Sequence, residues 1–280
     1  MDTGTASSAI YDEGDIVSAD APRVQRWTAR FAQSRRLLQT FGRLVLDVVY
    51  PPSCLCCQAA IGEHGALCPR CWAQMSFIER PYCDRLGTPF AYDLGIAGLL
   101  SPDAIANPPV YARARAVARF DDGPARELVH RLKFYDRMEL AEPMGAWMAR
   151  AGEDILPEAD FLVPVPLHRA RLMWRQFNQA QALAAAIGRT SGKKVEPLLL
   201  HRVKRTAPQV GLTRMQRAEN VQGAFAVPDD ARPAVEGRRL VLVDDVLTTG
   251  ATINAAARAL LRAGAAQVDV LVFARVVTAA

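Results

Sequence analysis

Between residues 112 and 278 the chain alternates between two hydrophobic rhythms. Ala116 to Phe120 alternates with the two-residue period of a strand. Gly123-Pro124 then opens a helical pattern through Leu128, Val129, Leu132 and Phe134, and another follows around Leu140 to Met148. Asp160 to Pro166 reads as a buried strand leaving into a loop. Phe177 to Ile187 is Ala-rich and helical with Gly188 as its stop, and Val195 to Leu200 returns to strand. Leu240 to Val243 is four apolar residues in a row, as expected of a strand covered on both faces. Ile253 to Arg262 is helical, Gly264 ends it, and Val268 to Phe273 is the last strand. Strands separated by helices predict an α/β fold, a parallel sheet flanked by helices over residues 111–280. No internal repeat stands out.

The first 110 residues behave differently. Residues 1–30 are small, polar and aperiodic, and are expected to be a disordered tail. Within 31–50, Leu37, Leu38, Phe41, Leu44, Val45, Val48 and Val49 fall on one helical face, and Pro51-Pro52 stops the pattern. This amphipathic helix would dock on its own protein, on a partner or on a membrane surface. Residues 51–90 hold the cysteines. Cys54 and Cys57 make one C-x-x-C and Cys68 and Cys71 a second; four thiolates at this spacing complete a tetrahedral zinc site with Zn–S of about 2.3 Å. Cys56 could stand in for Cys54 or Cys57. Cys83 has Leu86 where a pairing cysteine would stand, and reads as a spare thiol. Residues 91–110 look like a linker.

Candidate chemistry gathers behind the strand at residue 240. Asp244 and Asp245 come at its end, and Thr248, Thr249, Gly250, Ala251 and Thr252 lead into the next helix. Ligands of open α/β sheets sit beyond the carboxyl ends of strands. A Thr/Gly loop at a helix start offers amides, hydroxyls and a positive dipole end to a phosphate. Two carboxylates would repel that phosphate but suit sugar hydroxyls, so the segment reads as a cradle for a sugar 5-phosphate. It closely resembles the signature with which phosphoribosyltransferases bind phosphoribosyl pyrophosphate (PRPP). The resemblance implies that Asp244 and Asp245 face the ribose and its Mg²⁺, and that residues 248–252 wrap the 5-phosphate.

Such a site needs a wall for the departing pyrophosphate, supplied by fixed donors and Mg²⁺. The turn Val165-Pro166-Leu167-His168-Arg169 stands at another strand end, and Arg169 can fork onto phosphate oxygens. The basic stretch with Arg202, Arg205, Gln209, Arg217 and Asn220 has the composition of a lid closing over a charged transition state. Arg205 and Arg217 are its candidate catalytic cations; no nucleophile is identified.

Taken with these, Pro51-Pro52-x-Cys, Leu132-Lys133-Phe134-Tyr135, Val165-Pro166, Arg175-Gln176-Phe177-Asn178-Gln179 and Gly223-Ala224-Phe225 occur in an order that resembles the ComF family over roughly residues 44–278. Gln176 stands where that family usually has Gly, and Leu86 breaks a further C-x-x-C that its members often show. The resemblance implies a double zinc ribbon-like finger joined to a phosphoribosyltransferase-like domain, and for some members a role near DNA uptake. Three function classes follow: a Mg²⁺-dependent phosphoribosyl transferase, a non-catalytic PRPP sensor or scaffold that handles single-stranded DNA, and a structural adaptor working through the helix at 31–50.

Bulk properties narrow this only slightly. The 280 residues are half hydrophobic, enough for one α/β domain and a smaller module. A net charge of +5 favours anionic ligands without choosing among them. No apolar run is long enough to span a bilayer and the N-terminus lacks a secretory signal, so a cytoplasmic protein is expected. PRPP is the expected ligand, with single-stranded DNA, competence proteins or a second copy as further partners.

Overall fold

The computed structural model describes residues 51–93, 95–134, 137–167, 177–204, 216 and 219–277. The expected tail and helix of residues 1–50 lie outside them, as do His168, Arg169, Arg205, Gln209 and Arg217. Five strands form an all-parallel sheet: β1 (Ala114–Arg119), β2 (Phe161–Pro164), β3 (Lys194–Val195), β6 (Arg239–Leu247) and β7 (Gln267–Arg275). Their spatial order is β1-β7-β6-β2-β3. A short antiparallel hairpin pairs β4 (His201–Arg202) with β5 (Phe225–Ala226). Among the described residues no helix is long and apolar enough to cross a membrane.

Side-chain alternation along β7 divides the core in two. Leu271 and Phe273 pack with Leu128 and Leu132 of α3 (Pro124–Phe134), Met144 and Met148 of α4 (Ala141–Ala151), and Leu183 and Ile187 of α5 (Gln179–Ser191). Val268, Val270 and Val272 pack with Ile253, Ala257 and Leu260 of α6 (Ala251–Arg262). Each such fully buried aliphatic side chain contributes about 1.5–3 kcal/mol by leaving water. The α4–α5 contact is close enough that a Cβ on Gly145 would lie 2.4 Å from the Ala186 Cβ.

Several sequence expectations shift by a few residues. The helix expected to stop at Gly188 runs on to Ser191 and ends at Gly192, whose φ of 71° closes it. The bare face of Gly188 instead lets the β3 strand approach: an added Cβ would sit 2.9 Å from the Lys193 carbonyl oxygen and the Val195 Cγ2. The strand expected over 195–200 is only Lys194–Val195.

The cysteine-rich segment is a tandem repeat, as the resemblance to a double zinc ribbon-like finger implies, although no internal repeat stands out in the sequence. Two copies of one ribbon occupy residues 52–73 and 81–106. In the first, the Cys54 amide donates to the Ala59 carbonyl, the Gln58 amide to that of Cys54 and the Ile61 amide to that of Pro52. In the second, Cys83 donates to Thr88, Gly87 to Cys83 and Phe90 to Pro81. The bridge Ser53–Ala60 is matched by Tyr82–Pro89. Each copy ends in a short helix begun by proline, α1 (Pro69–Ala73) and α2 (Pro102–Ala106). Residues expected to form a linker thus carry the end of the second ribbon. Between the copies, the Ile78 amide donates to the Val117 carbonyl at 2.9 Å and the Arg119 amide to that of Ser76 at 2.8 Å, so residues 76–78 lie antiparallel along β1. Leu55, Leu67 and Met75 join the α3–α5 core, whereas Ile78, Leu86 and Ala104 join the α6 core. The two ribbons straddle the sheet edge.

Candidate functional site

The acid pair sits within β6, not after it. On one flank β6 stays paired with β7 through Val246–Ala274 and Leu247–Arg275. On the other flank β2 leaves: Pro164–Val243 is the last register pair, and the Val165 amide makes a final bond to the Val243 carbonyl at 2.9 Å. Pro166 has no N–H with which to extend the ladder. Among the described residues, β6 therefore has no strand partner on the β2 side from Asp244 onward. This is also where the strand order reverses, since the β2–β3 and β6–β7 connections run opposite ways across the sheet. A crevice at such a switch point is the usual ligand position of open α/β sheets.

The strand pleat sends successive side chains to opposite faces. The Asp245 carboxylate meets Lys133 of α3, with Nζ 2.9 Å from Oδ1. Asp244 is half-buried, and its Oδ1 accepts the Asp245 amide at 2.9 Å. Burial first, and then the charge of Asp245, raise the Asp244 carboxyl to about 7; Lys133, the Asp245 amide and Arg202 pull the other way. Arg202, expected in a lid, lies in β4 with its guanidinium 5.3 Å from the Phe225 ring centre. Two acids, one of them poised near neutrality, flanked by cations from α3 and β4, can bind hydroxyls or a divalent ion whose charge would favour ionisation of both.

The following loop has the features expected of an anion nest. Gly250 caps α6 with φ 78°, a left-handed conformation that an L side chain resists. Asn254 fixes the loop: its Nδ2 donates to the Gly250 carbonyl at 3.0 Å and its Oδ1 accepts the Val110 amide at 2.8 Å. The first turn of α6 carries no acid. Thr248 is exposed, whereas the Thr249 Oγ1 is buried without a hydrogen-bond partner. Buried hydroxyls are normally satisfied, so this oxygen fits a site completed by a ligand.

Of the expected pyrophosphate turn, Val165 is buried and Pro166 and Leu167 are half-buried. The turn is tied to α5 by Asn178, which caps that helix by accepting the Ala180 amide at 3.1 Å and donates Nδ2 to the Val165 carbonyl at 3.1 Å. The adjacent Gln179 is buried with its Nε2 unpaired. Asn220, expected in the lid, is half-buried at the start of the segment leading to β5. Sequence reasoning assigned no site role to Lys133 or Asn178. Both stand inside the segments that carry the family resemblance, and that was the only signal pointing to them.

The metal centre is Cys54, Cys57, Cys68 and Cys71, whose sulfurs all lie within 4.8 Å of one another. Cys56 is not one of the four. The Cys68 amide donates to the Cys54 Sγ at 3.2 Å and the Cys71 amide to the Cys68 Sγ at 3.5 Å. Burial opposes ionisation of Cys54, but amide donors from residues 68, 57 and 56 outweigh it and bring the thiol to about 6. Burial, then the neighbouring thiols, drive Cys71 strongly upward. Four thiolates cannot share so small a space without a cation among them, and the donor set fits structural zinc. Cys83 is a free thiol outside this cluster, fully buried, and its Sγ accepts the Leu86 and Ser101 amides at 3.4 and 3.2 Å.

Comparison with known proteins agrees with this division. Residues 45–103 match the double zinc ribbon domain, and residues 174–278 match the phosphoribosyl transferase domain. The chain is 31% identical over 234 residues to the DNA utilization protein YhgH of Salmonella typhi, covering 81% of this chain and 92% of that one. It is 30% identical to competence protein F of Haemophilus influenzae, covering 77% and 92%. With competence protein ComFC of Bacillus subtilis it shares 31% identity, over 54% of this chain and 59% of the relative. The chain belongs to the ComF family, a double zinc ribbon joined to a phosphoribosyltransferase domain.

Proposed function

We propose that the crevice beside β6 binds PRPP together with Mg²⁺, and that the protein transfers the phosphoribosyl group in a role linked to DNA uptake. The observation that carries this reading is the buried, unpartnered Thr249 hydroxyl, set beside the left-handed Gly250 at a helix start shortly beyond an acid pair. In this reading residues 248–252 hold the 5-phosphate. Asp244 and Asp245 take the ribose hydroxyls and the metal ion. The turn beginning at Val165, with His168 and Arg169, receives the pyrophosphate. Mg²⁺ would supply positive charge to the departing pyrophosphate. Arg205, Arg217 and Gln209 are the lid candidates for closing the site over the anomeric carbon. The acceptor is left open, since no loop spells out a base or an amine.

Isothermal titration tests the site. PRPP binding is expected only with Mg²⁺, and is lost in the Asp244→Ala, Asp245→Ala double variant. Unchanged binding by that variant would remove the assignment. Release of pyrophosphate from PRPP in the presence of candidate acceptors separates a transferase from a sensor: tight binding with no release under any acceptor favours the sensor. The names of the relatives and the net charge of +5 support a link to nucleic acid handling. A gel shift with single-stranded oligonucleotides at low and high salt measures that link directly.

A further inference from the structure

The family description implies two metal-binding ribbons, but the donor sets of the two copies differ. Aligning the matched hydrogen bonds sets Cys54, Cys57, Cys68 and Cys71 against Cys83, Leu86, Ser101 and Ala104. Only one thiolate donor survives in the second copy. Yet its frame is kept almost bond for bond. The Cys83 Sγ accepts the Ser101 amide at 3.2 Å, as the Cys54 Sγ accepts that of Cys68 at 3.2 Å. The Ser101 Oγ accepts the Ala104 amide at 3.3 Å, taking the capping role that the Cys68 Sγ has in the first copy. Where the first copy has Cys57 and Cys71, the second puts Leu86 and Ala104, buried in one apolar cluster with Ile78 and Tyr111. In place of a coordination centre, these positions belong to the α6-side hydrophobic core.

A second clamp holds the second copy. Arg115 of β1 is 2% exposed and reaches into the turn of the second ribbon. Its Nη1 donates to the Asp84 carbonyl at 2.7 Å, and its Nη2 to the Asp84 carboxylate at 3.1 Å and to Asp154 at 2.6 Å. At the same turn a Cβ on Gly87 would lie 2.3 Å from the Ala114 carbonyl oxygen, so glycine there lets the turn lie directly on the strand. The first copy has Gln58 at this place, also with positive φ, and there the residue is exposed.

We propose that the chain takes one zinc ion rather than two, and that the second ribbon is a metal-free fold held by the Cys83–Ser101 bonds and by Arg115. The full-length protein, purified without added metal, is to be assayed for total transition metal by inductively coupled plasma mass spectrometry and for bound ions by native mass spectrometry. One zinc per chain is expected. Cys83→Ala is expected to keep that ion, with its fold checked by circular dichroism. The combined variant Leu86→Cys, Ser101→Cys, Ala104→Cys restores four donors and is expected to hold two ions per chain. Two ions in the unaltered protein, or loss of an ion in folded Cys83→Ala, would overturn the proposal. A restored variant that still holds one ion would refute the claim that the second frame is a zinc ribbon lacking only its ligands.

Discussion

Replacing Asp244 with Asn should make the protein more stable at alkaline pH while removing its proposed ligand. The carboxyl is raised from an ordinary 3.8 to about 7, first by burial and then by the charge of Asp245. For an acid with a raised folded value, the folded state binds the proton more tightly. The penalty is therefore absent below about pH 4, grows as pH rises, and is complete above about pH 7. At ~1.4 kcal/mol per pH unit the ceiling is about 4 kcal/mol. Asp244 is only half-buried and two cations partly offset the repulsion, so roughly half of that ceiling, ~2 kcal/mol, is expected. Asn keeps the size and can still accept the Asp245 amide through its oxygen. Urea unfolding of both proteins at pH 4.5 and pH 8 measures the difference. The variant should gain ~2 kcal/mol at pH 8 and little at pH 4.5, with an unchanged denaturant slope. A variant less stable at pH 8, or a difference that does not change with pH, would refute the electrostatic account. Titration with Mg²⁺ and PRPP at pH 8 should show that the stabilised variant no longer binds.

Three further perturbations follow from the packing and the ion pairs. Lys133→Met leaves the Asp245 carboxylate buried without its cation and should cost about 1–3 kcal/mol, recovered largely when Asp245→Asn is added, as a double-mutant cycle in urea will show. Gly145→Ala improves helix propensity by about 1 kcal/mol but drives a methyl into Ala186, so a net loss of about 1–3 kcal/mol and a lower melting temperature are expected. Arg115→Met strips Asp154 and the Asp84 carbonyl of their shared donor; a loss of about 3 kcal/mol in chemical unfolding is expected, with hydrogen exchange accelerated first in residues 83–104.

The elements that sequence alone made legible are those whose signal is local. Alternating strand and helix periods between residues 114 and 275 place β1, α3, α4, β2, α5, β6, α6 and β7 within a few residues of where they stand. The four zinc ligands follow from spacing, and the Thr/Gly loop from its position before a helix. What stayed hidden depends on partners far along the chain. β6 extends through both acids because β7 is long enough to pair with it, while Pro166 ends the ladder on the other side. Lys133 acquires its place only when α3 lies across the sheet end. The second ribbon was legible only through the family resemblance, because three of the four positions that would carry its cysteines hold Leu86, Ser101 and Ala104 instead. Its backbone bonds survive, but they leave no pattern in side-chain chemistry.

The strip at residues 76–78 has an effect on solubility and assembly. An unpaired outer strand exposes amides and carbonyls that invite another chain to dock. Phe77 and its neighbours occupy that position on β1, so one rim of the sheet is sealed from within the same polypeptide. The opposite rim, β3, is only Lys194–Val195, directly preceded by Lys193, a short charged border unsuited to templating. Among the described residues, both margins of the five-stranded sheet thus disfavour strand-to-strand growth, which leaves side-chain surfaces as the route by which this domain would meet another copy.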